Sequence, residues 1–485
     1  MSTPQRVEHP REKAVSDRDE ELETDYLVVG AGAAGMAFTD ALLEHCDATI
    51  TIVDRRHAPG GHWIDAYPYV RLHQPSAFYG VNSVPLGQDA LDVVGSNAGY
   101  YETAGADEIR AYFANVMLRR FLPSGRVRYF PSSDYQGDGR VVSRLSGREW
   151  KARVRRKVVD TTYLEGTIPA TSPPPFHVGE GVRCVPAGEI TRIGQRPESF
   201  CIIGAGKTAL DAIVWLLERG VPASAIRWIK PREGWWMNRR FQQPRSFLPQ
   251  TYEGLAIQLE AMAQATSIPD LFARLEREEL FLRVDPAVPA TMFRGAVISE
   301  AELKLLRQIE DVVRLGHVLR IEREEIFLDE GSVPTSEGTV HVHCASRGLR
   351  RRPIRPIYEP ERVTVQLFQW GYACYQLATL GVVEATVESD EEKNRLCPPI
   401  TYWDADTDYL SAFLAILANQ RTRESAPALA SWAMASRLNP FSALAQYHDD
   451  PLVIDARGRI KRCTAAAANN LAALLADARK EKSPI

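Results

Sequence analysis

The residues with the clearest chemical meaning are three glycines between an apolar run and a helical pattern. Tyr26–Val29 is apolar and long enough for one buried strand. Gly30 permits a tight turn, Gly32 lets the backbone approach a pyrophosphate, and Gly35 lets helix and strand pack closely. Asp54 ends the next apolar run, where a carboxylate accepts hydrogen bonds from a ribose. The alternative is a glycine-rich turn without a ligand, but this order of elements predicts a dinucleotide site. Its predicted contacts are Gly30, Gly32, Ala33, Ala34, Gly35 and Asp54.

A second glycine turn occurs later in the chain. Ser199–Ile203 is typical of a strand, and Gly204–Ala209 fits the same turn with alanine at its last position. The next apolar run, Ala225–Ile229, is followed by Lys230 and Arg232 instead of an acid. Basic groups at this point favour a phosphate on the ribose, and so NADP over NAD. The alternative is that both are solvated surface charges. The predicted contacts are Gly204, Gly206, Lys207, Thr208, Lys230 and Arg232.

A resemblance to a known family appears after Asp54. The chain continues with Gly60–Trp63, Tyr67–Pro68 and Arg71–Pro75, which read GGHW, YP and RLHQP. This succession resembles the first segment of the class B flavin-dependent monooxygenases, which include flavin-containing, N-hydroxylating and Baeyer–Villiger enzymes. The resemblance implies that the segment binds FAD and passes close to the flavin. The residues to which it gives these roles are Asp54, Arg55, Gly61, His62, Trp63, Leu72, His73 and Gln74. Without the resemblance, Trp63 would be a core aromatic and His73 a hydrogen-bonded loop histidine.

Two later segments bear on the same resemblance. Val158–Thr162 resembles the strand that ends in an ATG-like turn beside FAD, which implies a contact at Thr162, although Tyr163 replaces the glycine. After a proline-rich connection, Phe176–Pro186 stands where the family usually carries FxGxxxHxxxW. The histidine and the last aromatic of that fingerprint are not in place, so the chain is a divergent member by this resemblance, and its reaction is open.

The two turns together predict two cofactors, FAD in the first unit and NADPH in the second. NADPH would reduce the flavin, whose own chemistry carries the reaction. The resemblance implies a monooxygenase that uses dioxygen and a flavin hydroperoxide to place one oxygen atom in a small organic substrate. It places His73 and Gln74 near the flavin as candidate catalytic residues. The alternatives are an NADPH-dependent flavin reductase or oxidase without a redox disulfide, and a nucleotide-binding sensor or scaffold.

Bulk properties exclude several other classes. The net charge of −4 argues against a nucleic-acid-binding protein, and no apolar run reaches the roughly 20 residues of a membrane helix. The 7 cysteines form neither CxxC nor CxxxxC, which indicates no disulfide framework, redox pair or zinc site. The run GAGKT is not a P-loop, because the first glycine of that motif would fall on Cys201. We therefore expect a cytoplasmic protein without a metal, and leave its oligomeric state open.

The predicted fold class is α/β, with two Rossmann-like dinucleotide-binding domains and helical elaborations. Residues 1–24 are expected to be a disordered tail, and residues 25–170 the first part of the FAD domain. Residues 196–335 are expected to be the NADP domain, largely helical from residue 234 to 328. Residues 336–485 are expected to return to the FAD domain and end in helices, with a strand–turn–strand at Leu452–Arg462. The final helix, Ala465–Arg479, would pack on the FAD domain.

Overall fold

A computed structural model of the protein describes residues 20–345, 348–369 and 371–481. The strands in these ranges are β1 (Glu20–Val29), β2 (Ile50–Val53), β3 (Val127–Phe130), β4 (Ser133–Tyr135), β5 (Arg140–Ser143), β6 (Glu149–Asp160), β7 (His177–Val178), β8 (Cys184–Pro186), β9 (Ser199–Ile203), β10 (Ile226–Ile229), β11 (Glu233–Asn238), β12 (Phe281–Leu282), β13 (Ala290–Ile298), β14 (Val312–Val313), β15 (Val318–Ile321), β16 (Glu325–Leu328), β17 (Gly331–Pro334), β18 (Thr339–His343), β19 (Tyr358–Glu359) and β20 (Arg362–Thr364).

The α-helices in the same ranges are α1 (Ala33–His45), α2 (Ala106–Val116), α3 (Lys207–Glu218), α4 (Leu248–Gln264), α5 (Ile268–Arg277), α6 (Glu300–Leu306), α7 (Ala373–Thr386), α8 (Asp390–Leu396), α9 (Asp406–Glu424), α10 (Pro427–Ala435) and α11 (Pro451–Glu481). Of the helices that the structure describes, none combines the length and the apolar character that crossing a bilayer requires.

The first glycine turn belongs to a parallel sheet with the order β20-β6-β1-β2-β3. Strands β4 and β5 extend β6 as an antiparallel meander, and β19 pairs with β20. The apolar run Tyr26–Val29 forms the central strand because a parallel strand is covered on both faces. Its neighbour β2 is buried along its whole length. The predicted α/β class is confirmed for this unit.

The strand β1 begins at Glu20, so the expectation of a disordered tail is wrong for residues 20–24. These residues pair in parallel with Trp150–Val154 of β6, which extends beyond the rest of the sheet. Leu22 and Thr24 are buried, while Glu21 and Glu23 are exposed. This charged alternation is a half-buried strand, and its high charge concealed it in the sequence. Residues 1–19 of the predicted tail lie outside the described residues.

The second glycine turn belongs to another parallel sheet, with the order β14-β10-β9-β18-β8. Thr339–His343 is its fourth strand, and all five residues are buried. The prediction that this segment returns to the first domain is therefore wrong. Strand β8 lies before residue 196, so the predicted domain is also too short at its beginning. The glycine turn identifies only the first βαβ unit of a domain. No comparable sequence motif identifies the outer strands of the sheet.

The segment from residue 234 to 328 is only partly helical, so that prediction needs correction. Helices α4, α5 and α6 alternate with a three-stranded sheet of β12, β11 and β13. Strands β15, β16 and β17 form an antiparallel sheet that β7 joins. Trp235 and Trp236 lie in the core, where Trp235 stacks on Phe272. Both tryptophans belong to strand β11, which is buried at all six positions.

The C-terminal segment is a single helix, α11, so the strand–turn–strand predicted at Leu452–Arg462 is wrong. Its apolar residues Ala467, Leu471 and Leu475 share a core cluster with Met262 of α4. The final helix therefore packs on the helical elaboration of the second unit. The helix that covers the first sheet's α1 is α7, in which Gly381 meets Phe38 and Ala41.

The contact between α1 and α7 predicts the effect of one added methyl group. A Cβ at Gly381 would lie 2.7 Å from the Ala41 Cβ and 2.7 Å from the Phe38 carbonyl oxygen. We expect Gly381→Ala to lower the free energy of unfolding by about 1–3 kcal/mol, because the strain of overpacking exceeds the helix propensity that alanine gains. Urea unfolding measures this. Gly194→Ala is the control, because nothing lies within 4 Å of its added Cβ; equal stability of the two variants would contradict the prediction.

Candidate dinucleotide-binding sites

The first turn is built so that no side chain fits at its glycines. Gly30 has a φ of +106° and donates its N–H to the Val53 carbonyl oxygen at 2.8 Å. A Cβ on Gly35 would lie 1.9 Å from the Gly30 carbonyl oxygen, and α1 therefore packs directly on the turn. Helix α1 begins at Ala33, with Gly32 as its N-cap. The first amides of α1, at Ala33 and beyond, thus point out of the turn without intrahelical acceptors.

The glycine pair after Asp54 closes on the same turn. Gly60 donates its N–H to the Ala31 carbonyl oxygen at 2.8 Å. Gly61 has a φ of +59°, and its added Cβ would lie 2.8 Å from the Cα of Gly32. Two bare backbones thus meet beside the N-terminus of α1, which favours a negatively charged diphosphate. Gly61, to which the resemblance gives a role in FAD binding, thus lies against the first glycine turn.

Asp54 is 4% exposed and forms a hydrogen bond with the backbone of the first glycine turn. Its carboxylate accepts hydrogen bonds from the Ala31 N–H at 2.5 Å and from the Arg56 N–H at 2.7 Å. Each carboxylate oxygen keeps a lone pair for a further donor. Close by, the hydroxyl of Tyr129 is buried and has no hydrogen-bond partner among the described residues. Burial raises the pKa of Tyr129 above its usual value, and Asp54 raises it further. An orphaned hydroxyl beside a buried carboxylate fits the hydroxyl groups of a ribose.

The other residues assigned from the resemblance lie at different depths. Trp63 is buried and donates its Nε1–H to the Tyr79 hydroxyl at 2.6 Å, and Leu72 is 5% exposed in the same core. Both match the alternative role of core residues and shape the loop from behind. His62 is exposed, and Arg55 forms an ion pair with Glu165.

The turn after β6 presses on the first glycine. The hydroxyl of Thr161 donates to the Val29 carbonyl oxygen at 2.7 Å, and it would lie 2.5 Å from a Cβ on Gly30. Thr162 donates its N–H and its hydroxyl to Asp160 Oδ1 at 2.9 and 2.7 Å. The Thr162 hydroxyl is therefore engaged within its own turn, and the Thr162 Cγ2 would lie 3.6 Å from a Cβ on Gly30.

The second turn repeats the geometry of the first. Gly204 has a φ of +141°, its N–H donates to the Ile229 carbonyl oxygen at 3.0 Å, and its added Cβ would lie 3.1 Å from the Cys344 carbonyl oxygen. Gly206 caps α3, whose first turn contains Lys207 and Thr208. The backbone at the mouth of α3 is thus free of side chains, as a diphosphate requires.

The two lysines predicted to bind the second cofactor, Lys207 and Lys230, are instead engaged in ion pairs with acidic side chains. The side chain of Lys230 is fully buried and donates to both Glu233 carboxylate oxygens at 2.6 Å, and it lies 4.5 Å above the Trp228 ring. Lys207 pairs with Asp211 and with Glu302, the latter at 3.0 Å. The prediction that Lys230 meets a ribose phosphate does not hold in this structure, because Glu233 neutralises it inside the core.

Two arginines, Arg232 and Arg294, contact Asp404 at the edge of the second sheet where the glycine turn lies. Arg232 Nη1 contacts Asp404 Oδ2 at 2.9 Å, and Arg294 Nε contacts Asp404 Oδ1 at 2.7 Å. Arg294 Nη1 lies 4.0 Å from the position of a Cβ on Gly206. Two cations therefore share one anion next to the glycine turn. Sequence reasoning missed Arg294, whose one signal is that it interrupts the apolar strand β13.

His73, the first candidate catalytic residue, lies against Arg239 of the second unit. His73 is half-buried, and its carbonyl oxygen accepts a hydrogen bond from Arg239 Nε at 3.1 Å. Burial, Lys207 and Arg239 lower the pKa of His73 to about 3, against a smaller opposing effect of Glu302. The lowered pKa favours the neutral imidazole of His73 at neutral pH, which can still donate or accept a hydrogen bond. Gln74 is also half-buried.

Two parallel sheets, each with a glycine turn at the start of a helix, define a protein with two dinucleotide-binding units. Residues 28–80 match the family model of an NAD(P)-binding Rossmann-like domain, which covers the first turn. The chain is 44% identical over 419 residues to uncharacterized proteins of Mycobacterium tuberculosis (strain ATCC 25618 / H37Rv) and Mycobacterium bovis (strain ATCC BAA-935 / AF2122/97), across 86% of this chain and 78% of each relative. The chain belongs to the family that these mycobacterial proteins represent.

Solved structures with a similar fold include two monooxygenases. The cyclohexanone monooxygenase from Rhodococcus sp. Phi1 bound to NADP+ is 12% identical, with 78% of this chain and 89% of that chain covered and a TM-score of 0.49. A flavin-containing monooxygenase from Stenotrophomonas maltophilia is 16% identical, with 71% and 86% covered and a TM-score of 0.38.

The neutral state of His73 predicts a pH dependence of stability. Its pKa falls from 6.5 in the unfolded chain to about 3 in the folded protein. Between these values the unfolded chain binds a proton that the folded protein does not, so folding is weakened as the pH falls below 6.5. His73→Gln should lose less stability than the wild type between pH 7.5 and 5, as urea unfolding measures. His448→Gln, at a side chain that is 66% exposed, should keep the wild-type dependence; the same dependence in His73→Gln would refute the assignment.

Proposed function

We propose that this protein is an FAD- and NADPH-dependent monooxygenase that transfers one oxygen atom from dioxygen to a small organic substrate. The observation that carries the proposal is the pair of side-chain-free turns, one beside a buried acid and the other beside two arginines. Flavin reduced by NADPH supplies the oxygen chemistry, and the protein binds, orients and shields it. The particular substrate and the type of oxygenation stay open.

In this proposal the first unit holds FAD. The diphosphate would lie on the amides of α1, in the cradle between Gly32 and Gly61, where added Cβ atoms would collide with the backbone. The Asp54 carboxylate and the orphaned Tyr129 hydroxyl would take the adenosine ribose. A ligand with a diphosphate and vicinal hydroxyls would form hydrogen bonds with these groups. In a turn without a ligand, the same groups would have no function.

The second unit would hold NADPH, with arginines in place of the predicted lysine. Arg232 follows β10, where the ribose of a dinucleotide lies in a Rossmann unit. Arg294 lies beside Gly206, where the diphosphate lies. Asp404 keeps both guanidinium groups at this edge. The Arg232 Nε and Nη2 atoms also donate to Thr291, so a ribose phosphate would compete with Thr291 for these donors.

His73 and Gln74 would face the flavin from the segment that follows the Tyr-Pro pair. Because the pKa of His73 is lowered to about 3, it would act as a neutral hydrogen-bonding group and not as a cationic acid. A neutral donor can hold the position of a polar atom without adding charge in a site from which water is excluded.

The second candidate function is an NADPH-dependent flavin reductase or oxidase. It shares every feature of the two turns and differs only in where the electrons go. All seven cysteines are free thiols in the structure, so neither candidate has a redox disulfide to use.

Spectroscopy of the purified protein separates these possibilities. We expect a yellow protein whose flavin absorption bleaches on anaerobic addition of NADPH. On mixing with air, a slowly decaying species with its own absorption would support the monooxygenase. Immediate reoxidation that yields hydrogen peroxide would indicate an oxidase. A protein that takes up no FAD would refute the proposal.

The two arginines at Asp404 should have different effects on cofactor choice. A charged hydrogen bond contributes about 1.5–3 kcal/mol, so Arg232→Gln should raise the KM for NADPH about 10-fold or more while the KM for NADH changes little. Arg294→Gln should raise both, because its side chain lies at the diphosphate turn. Steady-state kinetics with the two nucleotides measures this.

Arg323→Gln is the control for these variants, because its side chain is 60% exposed at a distant turn. An unchanged KM for NADPH in Arg232→Gln would contradict the placement of the ribose phosphate.

A further inference from the structure

Four charged side chains with little solvent exposure, between 5% and 12%, lie between the two units. This interdomain charge cluster consists of Lys207 and Asp211 of α3, Glu302 of α6, and Arg239, which begins a short helical turn after β11. Lys207 contacts Asp211 and contacts Glu302 Oε1 at 3.0 Å, and Arg239 contacts Glu302 Oε2 at 2.8 Å. The two cations and two anions balance. The candidate sites described above do not account for Arg239 or Glu302.

Arg239 reaches three separate parts of the chain with its guanidinium group. Its Nε donates to the His73 carbonyl oxygen at 3.1 Å, its Nη1 donates to Asn97 Oδ1 at 3.1 Å, and its Nη2 meets Glu302. Its side chain is 5% exposed. Its own carbonyl oxygen accepts a hydrogen bond from Gln243 Nε2 at 3.1 Å. Both the head and the backbone of Arg239 are therefore fixed.

The first unit contributes to the same cluster from two sides. The Tyr67 hydroxyl donates to Asp211 Oδ2 at 2.6 Å. The amide of Asn97 also donates to Asp92 Oδ2 at 2.7 Å and to the Tyr101 carbonyl oxygen at 3.0 Å, which holds its oxygen toward Arg239. The segment that carries His73 is thus attached to the second unit by hydrogen bonds to charged groups, which are stronger than neutral ones.

We propose that Arg239 is the positioning residue for His73, and that Glu302 and Lys207 connect it to the second glycine turn. The proposal rests on the proposed function, in which His73 faces the flavin and NADPH binds at that turn.

The chemistry of arginine explains why this position would not accept another cation. The guanidinium group is planar and directs its donors along fixed, divergent lines, so it can reach a carbonyl oxygen, an amide oxygen and a carboxylate at once. A lysine at position 239 would keep the charge beside Glu302. It would not reach His73 and Asn97 in these directions, because its ammonium is a single point on a flexible stem.

The position of Lys207 extends the connection to the nucleotide. Lys207 is the first residue of α3, next to Gly206. A diphosphate at this turn would add negative charge close to Lys207 and weaken the ion pair between Lys207 and Glu302. Glu302 also forms an ion pair with Arg239. The groups that face His73 are Lys207 of α3, Arg239 and Glu302. Binding of the nucleotide would therefore change the surroundings of His73 before any electron transfer.

The conservative variant Arg239→Lys tests the positioning role. We expect it to fold and bind FAD as the wild type does, but to be reduced by saturating NADPH at least about 10-fold more slowly, because a charged hydrogen bond contributes about 1.5–3 kcal/mol. Arg240→Lys is the matched control, because its side chain is 43% exposed and contacts Glu279 instead. Stopped-flow absorbance at saturating NADPH separates a loss in the rate of reduction from a loss in affinity. Wild-type reduction by Arg239→Lys, or an equal loss in Arg240→Lys, would overturn the proposal.

Nuclear magnetic resonance of histidine gives a readout that does not depend on activity. With [13C]histidine labelling and His73→Gln for assignment, the His73 signal should shift on addition of NADP+ in the wild type. It should shift much less in Glu302→Gln, in which the connection is broken. An equal shift in both proteins would refute the connection. The same experiment on protein without FAD keeps this test separate from the proposed function, since failure to bind FAD would refute only the latter.

If Arg239→Lys does not fold, the double variant Arg239→Gln/Glu302→Gln replaces it. This variant removes one cation and one anion, so the pair of Lys207 and Asp211 stays balanced. Its His73 signal should differ from that of the wild type and should no longer respond to NADP+. A wild-type response in the double variant would overturn the proposal.

Discussion

The constraint on which the first unit depends is the contact of bare backbone at its glycine turn. A methyl group on Gly35 would lie 1.9 Å from the Gly30 carbonyl oxygen, and one on Gly61 would lie 2.8 Å from the Cα of Gly32. These contacts fix the direction of α1 relative to β1 and bring the loop after Asp54 over the turn. The sheet, the helix and the loop can meet only because no side chain separates them. The same absence of side chains leaves the amides accessible to a phosphate, so packing and binding have one cause.

The second unit has the same backbone geometry at its glycine turn, but its charged side chains are neutralised in a different way. In the first unit a buried acid, Asp54, is satisfied by the turn itself. In the second, cations are satisfied by acids elsewhere in the sequence: Lys230 by Glu233, Lys207 by Asp211 and Glu302, and Arg232 by Asp404. A buried charge without a partner is expensive, so each of these pairs is obligatory once the lysine or arginine enters the interior. Only the arginines at Asp404 keep donors near the turn and some exposure to solvent.

This difference explains how much of the structure could be predicted from the sequence. The two turns, the parallel sheets around them and the α/β class follow from local patterns, because glycine spacing and apolar runs act within about 30 residues. The role of Lys230 could not be predicted, because nothing marks Glu233 as its buried partner rather than a surface charge. Arg294 and Asp404 come together across 110 residues, and no local pattern records that contact. The strand at Thr339–His343 was assigned to the wrong unit for the same reason, since strand order is a long-range property.

The neutral state of His73 has the same origin as its position. Two cations and one anion of the interdomain charge cluster face it, and the cations outweigh the anion. A histidine in a solvated loop would titrate near neutral pH and would carry variable charge beside a flavin. Burial lowers the pKa of His73 most, and Lys207 and Arg239 lower it further. Arg239 also donates a hydrogen bond to the His73 carbonyl oxygen. The distant partners Asn97 and Glu302, rather than the RLHQP segment itself, therefore decide what His73 can do.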